Sequence, residues 1–181
     1  MSWPERIEGD GFALRSWQVS DADDLVFHAN DAMVARSLGE RFPHPYTLDD
    51  AQAFIAHALH LSHEKSWAIE INRVASGAIG VQPGEGVERH SAEMGYWLAR
   101  AYWGEGIATA AVRAIVPHAL RELKLYRLQA RVFADNPASM RVLERCGFIQ
   151  EAVLRRLVMK DDRLLDMHVY AITRDTLDAQ G

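Results

Sequence analysis

Two glycines one residue apart, Gly104 and Gly106 in the stretch YWGEGIATAA, stand where a loop gives way to a helix. Glycine has no side chain to shield its backbone, so neighbouring N–H groups can converge there, and the first helical turn adds unpaired donors and a positive dipole end. That combination suits an anion, above all a phosphate. The same pair also serves as a plain flexible turn before a helix, and a bare G-x-G does not separate the two readings. Other residues with chemistry to offer are Glu93 in AEMGYWL, Asn136 and Ser139 in NPASM, and Asp166 and His168 in LLDMHVY. Each has a structural alternative. Glu93 suits a solvated strand face or an arginine partner, Asn136 a helix cap, and Ser139 a bond to nearby backbone. Asp166 and His168 alternate on a strand and so share one of its faces.

Metal and thiol chemistry have weaker support. His57, His60 and His63 lie three apart, and helical steps of about 100° per residue turn the first and last roughly 120° away from each other. They do not converge on a metal, and no metal is expected. Cys146, the one cysteine, precedes Gly147 at a helix end, where a buried and unreactive thiol is expected.

The elements that must position these groups follow from composition and pattern. With 181 residues, 49% of them hydrophobic, the chain suffices for one domain with a substantial core, read here as residues 1–181. A formal charge of -5 argues against a general nucleic-acid or anionic-membrane surface and favours a neutral or cationic partner. No apolar run reaches transmembrane length, MSWPERIEGDG lacks a signal-peptide core, and a lone cysteine forms no internal disulfide. A soluble cytoplasmic protein, monomer or homodimer, is expected.

Short strands alternate with helices. Residues 11–17 read as a strand, Ser20-Asp21-Ala22-Asp23 as the acidic start of a helix, and Thr47 as the cap of a helix through Leu61 with Phe54, Ile55 and Ala58 inward. Residues 66–71 and 77–82 read as a hairpin around 72–76, followed by a strand over 92–98. A long helix over 105–123 places Arg113, Pro117 and Arg121 outward and Ile107, Ala110, Ala111, Ala114 and Ile115 on the sheet. Residues 126–134 alternate as a half-buried strand, and Asn136-Pro137 forms an N-cap with proline at the first helical position. That helix ends at Gly147, before two last strands over 148–159 and 164–172.

From FALRSWQVSDADDL through AEMGYWLARAYWGEGIATAA and ADNPASMRVLERCGF to LLDMHVYAI, the chain resembles the GCN5-related N-acetyltransferases (GNAT), in particular their RimJ/RimL-like branch. The resemblance implies an α/β (α+β) fold. Its central sheet is mixed and mostly antiparallel, splayed between the fourth and fifth strands, with helices on both faces and acetyl-CoA in the gap. It implies that the backbone near Leu98 pairs with pantetheine, and that the N–H groups of Trp103, Gly104, Gly106, Ile107, Ala108 and Thr109 cradle the pyrophosphate. Asn136 would bond pantetheine amides and Ser139 would protonate the leaving thiolate. Glu93 would accept the amine proton, directly or through water, while Trp97, Asp166 and His168 would shape the acceptor pocket.

The chain also departs from the family pattern. Trp103 replaces a polar residue at the start of the cradle, Arg100 stands where proline is common, and Leu143 occupies the position of a tyrosine that often acts as the acid. The expected reaction is acetyl transfer from acetyl-CoA to a primary amine by direct attack, with a peptide N-terminus or other single amine as acceptor. Small amines, polyamines and antibiotics are alternatives, as is a non-catalytic acyl-CoA-binding module. The acidic runs already serve as helix starts and a hairpin turn, which weighs against a polyamine site.

Overall fold

A computed structural model describes residues 4–61 and 65–179. In chain order the strands are β1 (Arg6–Glu8), β2 (Ala13–Arg15), β3 (Lys65–Ile71), β4 (Val74–Pro83), β5 (Ser91–Leu98), β6 (Arg127–Phe133), β7 (Ile149–Lys160) and β8 (Arg163–Thr173). They form one sheet in the order β1-β2-β3-β4-β5-β6-β8-β7. Helices α1 (Ala22–Ala29), α2 (Ala32–Arg36) and α3 (Leu48–His60) precede β3. Helix α4 (Ile107–Pro117) follows β5, α5 (Pro137–Arg145) follows β6, and α6 (Arg174–Ala179) follows β8.

Every strand pair is antiparallel except β5 with β6, and that parallel pairing is confined to Ser91↔Arg127, Ala92↔Leu128 and Glu93↔Gln129. Beyond Glu93, β5 stays with β4 as far as Leu98, while β6 stays with β8 as far as Phe133. The sheet therefore splits. Counted from β2, the split falls between the fourth and fifth strands as expected; the short β1 adds one to the count.

Each face of the sheet has its own core. On one face Ala92, Met94, Leu98, Leu128, Ala130 and Val132 pack with Ile107, Ala111, Ile115 and Leu143 from α4 and α5. On the other, Ala68, Ala75 and Ala78 pack with Leu25, Ala51, Ile55 and Ala58 from α1 and α3. The small alanines on this face let the helices lie close to the strands. Thr47 caps α3 in a reciprocal box with Asp50, and Asn136 caps α5, whose first residue is Pro137.

Several elements differ in extent from the sequence reading. The hairpin between β3 and β4 turns on Asn72 and Arg73 alone, both at positive φ, as a tight two-residue turn requires. The helix expected over 105–123 starts at Ile107 and widens after Pro117 into a π-turn over His118–Glu122, because Pro117 has no N–H to continue the ladder. Tyr126 lies outside β6, exposed, with the Arg174 guanidinium 4.6 Å from its ring centroid. His57 and His60 lie on α3, with His60 Nδ1 2.6 Å from the Ala56 carbonyl; His63 is outside the described residues.

A buried ion cluster pins α1 to the sheet. Arg15 on β2 donates to both oxygens of Asp21, at 2.7 and 2.8 Å, and to Glu70 on β3. Burial alone would raise the Glu70 carboxyl, but the Arg15 and Arg6 bonds outweigh it and hold it below its ordinary range. Asp21→Ala removes two charge-assisted bonds and leaves Arg15 with Glu70 as its remaining carboxylate partner. The loss is expected to cost about 2–3 kcal/mol, seen as a lower urea midpoint with an unchanged slope.

Candidate active site

The split sets the geometry of the site. Strand alternation sends Glu93, Gly95 and Trp97 to the α1/α3 face and Ala92, Met94, Tyr96 and Leu98 to the α4/α5 face. Glu93 occupies the last paired position, so its side chain stands at the throat of the gap. It accepts from Arg131 Nε at 3.0 Å and, more weakly, from Gln129 Nε2 at 3.4 Å. This is the arginine partnership foreseen as its structural alternative. Side-chain exposures of 38% for Glu93 and 47% for Arg131 make the pair a weak one, roughly 0–1 kcal/mol, so Glu93 is free to exchange partners.

Trp97 lies half-buried on the same face, its ring 5.4 Å from that of Phe42, which in turn lies 5.0 Å from Tyr46. These aromatics, two of them from the segment between α2 and α3, pack into the α1/α3 core beside the outer half of β5. Burial pushes the Tyr46 phenol up to about 12.

Across the gap stands α5. Asn136 Oδ1 accepts from Ser139 N at 3.1 Å, the capping bond expected of it. The Ser139 hydroxyl is 2.8 Å from Tyr96 Oη, and Tyr96 also lies within donating distance, 3.2 Å, of the Ser139 carbonyl. Tyr96 escaped the sequence reading. The available signal was a phenol at an inward position of a strand, since a buried tyrosine hydroxyl needs a partner. Burial drives the Tyr96 phenol well above its ordinary value, only partly countered by the bond to Ser139. Leu143 is fully buried in the core and brings no hydroxyl from the helix.

Asp166 and His168 are on β8, on the α4/α5 face with Tyr170, and therefore opposite Glu93 and Trp97. Asp166 Oδ1 accepts from Arg156 N at 2.7 Å and so holds a bulge in β7, where Arg156 adopts positive φ and the register slips between Leu154 and Val158. His168 Nδ1 is 3.1 Å from Gln150 Oε1. Both residues serve the long β7–β8 hairpin.

The glycine turn meets α4 at its start. Gly104 and Gly106 have φ of 85° and 84°, a left-handed backbone that explains the residue choice at both positions. Gly106 is the N-cap and no side chain caps the helix, so its first N–H groups remain available to a ligand. A Cβ placed on either glycine would meet nothing within 4 Å, which leaves open space beside those donors. Trp103 donates its indole N–H to the Leu98 carbonyl at 2.7 Å, tying the turn to the end of β5 in place of the polar contact its side chain does not offer. From the turn a groove of about 560 Å³ runs between α4 and α5, lined by Gly106, Thr109, Ala110, Arg113, Ala114 and Arg145. Cys146 donates Sγ–H to the Thr109 carbonyl at 3.4 Å, and burial pushes its thiol up, consistent with an inert role.

A split mixed sheet with an uncapped helix N-terminus at the gap can be compared with known proteins. The family model for the acetyltransferase (GNAT) domain matches residues 12–149. The chain belongs to the GNAT acetyltransferases. The uncharacterized N-acetyltransferase YoaA of Bacillus subtilis (strain 168) is 30% identical over 173 residues, 93% of this chain and 96% of that one. The ribosomal-protein-serine acetyltransferase of Escherichia coli (strain K12) is 36% identical over 81 residues, a match that takes in 45% of either chain. Among solved structures, RimL, a ribosomal L7/L12 α-N-protein acetyltransferase in complex with coenzyme A, superposes with a TM-score of 0.85 at 22% identity, covering 95% of this chain and 99% of that chain. At that identity the likeness is one of fold.

As a GNAT member the chain is an acetyl-CoA-dependent N-acetyltransferase, with acetyl-CoA as co-substrate. The residues present fit that molecule: unpaired N–H groups for a pyrophosphate, arginines beside the groove, and a gap in the sheet for an extended chain. Gly106→Val tests the turn. A β-branched residue at φ of 84° is strained by about 1–2 kcal/mol and fills the open space with methyl groups. It is expected to weaken coenzyme A binding by at least about tenfold in calorimetry, which corresponds to about 1.4 kcal/mol, while the circular dichroism spectrum is retained.

Proposed function

We propose that the chain, as one domain over residues 1–181, acetylates a primary amine that enters from the α1/α3 face while coenzyme A leaves toward α5. The observation that carries this reading is the placement of two candidate proton-handling groups on opposite faces of the split. Glu93 stands at the throat on one side, and Ser139, held by Tyr96, on the other. An acetyl carbonyl between them presents one side to the amine and its sulfur to the serine hydroxyl. Glu93, directly or through water, takes the proton of the attacking amine, and Ser139 donates to the sulfur as the C–S bond breaks. The backbone near Leu98 pairs with pantetheine, and a β5 N–H that faces the gap supplies the donor for the tetrahedral oxyanion. Asn136 can serve pantetheine with its amide N–H₂, since its Oδ1 is committed to the cap.

In this reading Trp103, Gly104, Gly106, Ile107, Ala108 and Thr109 present backbone to the pyrophosphate, and Arg113 and Arg145 flank the groove where the rest of the nucleotide fits. The acceptor is a peptide N-terminus or another single amine. The aromatic trio of Trp97, Phe42 and Tyr46 carries no cluster of carboxylates for a polycation. The acidic pairs have structural work instead: Asp50 completes the box on α3, and Asp161 and Asp162 form the positive-φ turn between β7 and β8. The partial relatedness to a ribosomal-protein-serine acetyltransferase supports a protein N-terminus.

Ser139→Ala is expected to lower kcat by roughly ten- to a thousandfold with little change in KM for acetyl-CoA. Glu93→Gln should slow turnover at neutral pH and regain part of it at alkaline pH, where more of the acceptor is unprotonated. Retention of parent kinetics in Glu93→Gln assigns the amine proton to water, and retention in Ser139→Ala removes the serine as the donor to sulfur. For the acceptor, coenzyme A release should be faster, per unit concentration, with Ser-, Ala- or Met-initiated peptides than with spermidine; the reverse order would transfer the assignment to polyamines.

A further inference from the structure

Ser139 has one hydroxyl proton, and where it points depends on Tyr96. Among the described residues Tyr96 is the one side chain bonded to Ser139 Oγ, at 2.8 Å, and its own proton has two possible acceptors, Ser139 Oγ and the Ser139 carbonyl at 3.2 Å. If the phenol donates to the carbonyl, Ser139 must donate back to Tyr96 Oη, and its proton is turned away from any ligand. If the phenol donates to Oγ, the serine proton is released to donate elsewhere, and a hydroxyl that accepts one bond donates a stronger one.

Tyr96 is also placed to choose between these states. It lies on β5 beyond the last β5–β6 pair, so its side chain reaches from one lip of the split to α5 on the other. The backbone of Ser139 is fixed independently by the Asn136 cap, which leaves the hydroxyl rotor as the free variable. Resting on the proposed role of Ser139, we propose that Tyr96 is a positioning residue: its phenol donates to Ser139 Oγ when coenzyme A occupies the gap, aiming the serine O–H at the departing sulfur. Leu143 on α5 is fully buried and brings no hydroxyl, so the phenol that meets Ser139 comes from the strand.

No net proton leaves Tyr96. The amine nitrogen bonds to the acetyl carbon, the C–S pair departs on sulfur, the amine proton goes to base or solvent, and the thiolate is held by Ser139 O–H until solvent protonates it. Burial favours a neutral phenol throughout.

This arrangement predicts a property of bound coenzyme A that needs no acceptor. A donor aimed at sulfur stabilises the thiolate over the thiol, lowering the thiol's pKa below its value in water. A group whose pKa falls on binding makes the complex tighter as pH rises, by about tenfold for one unit. Calorimetric titration of the parent with coenzyme A between pH 7 and 10 is expected to show that gain relative to desulfo-coenzyme A, which lacks the sulfur and reports every other pH effect. Tyr96→Phe keeps the ring packing and should reduce the gain to within about twofold of none, with desulfo-coenzyme A binding unchanged as the check that the fold and cradle are intact. The double variant with Ser139→Ala should match Ser139→Ala alone, because Tyr96 acts through the serine.

Three results overturn the proposal in distinguishable ways. A parent-like gain in Tyr96→Phe removes Tyr96 while leaving Ser139 in place. A parent-like gain in Ser139→Ala removes the serine and the reading on which the proposal rests. Loss in Tyr96→Phe that adds fully to loss in Ser139→Ala makes Tyr96 an independent contributor rather than a positioning residue.

Discussion

The ladder between β5 and β6 ends after three residue pairs, and nearly every feature of the site depends on that early end. Each strand keeps its other neighbour along its full length, so the split leaves one row of backbone groups on each lip rather than two loose strands. Within a sheet such rows are normally paired. A ligand rich in amides can complete them in the manner of an added strand, which is why a split sheet suits pantetheine without any dedicated side chain. In the proposed reading, affinity comes largely from backbone geometry and side chains are left to govern protons.

Side-chain placement follows from the two-residue period of β5. Glu93 and Tyr96 are three apart and therefore face opposite ways, one toward the solvated side with Arg131, the other into the packed side with α5. The contrast in surroundings is chemically useful. A half-buried carboxylate with a weak partner is open to solvent and to an incoming amine, whereas a buried phenol remains a fixed donor. The uncapped start of α4 belongs to the same plan, since Trp103 anchors the turn to Leu98 at the end of this strand. One strand thus ties together the carboxylate, the phenol and the cradle.

Much of this was legible in the residues. The Asn136-Pro137 cap, the Thr47 box and the glycine pair before α4 are local signals, and local signals survive folding. The family motifs single out Glu93, Ser139 and the glycine turn, and in the structure Glu93 ends the β5–β6 ladder while Ser139 meets Tyr96 across the split. What escaped was set at a distance. The point where β5 parts from β6 depends on residues far apart in the chain, so no window of sequence reveals it. Tyr96 was passed over for Trp97 because the aromatic run AEMGYWL does not say which parity faces α5. Asp166 reads as a pocket acid, yet it accepts from the backbone of Arg156, a bulge invisible without the partner strand. The π-turn after Pro117 is the reverse case: the proline was noticed, but its effect on the following turn needed the packed helix to show it.

The same split bears on how the chain assembles. On the β5 side, β1 through β5 join neighbour to neighbour in antiparallel fashion, and beyond it β7 and β8 form a long hairpin on which β6 packs. The two blocks meet in the sheet through the one parallel contact, which closes a loop containing α4 before it returns any pairing energy. The seam is therefore the most non-local junction of the sheet. If acetyl transfer takes place at this seam, as proposed, the reaction lies where two blocks of the sheet meet, and the gap is complete only once both blocks have docked.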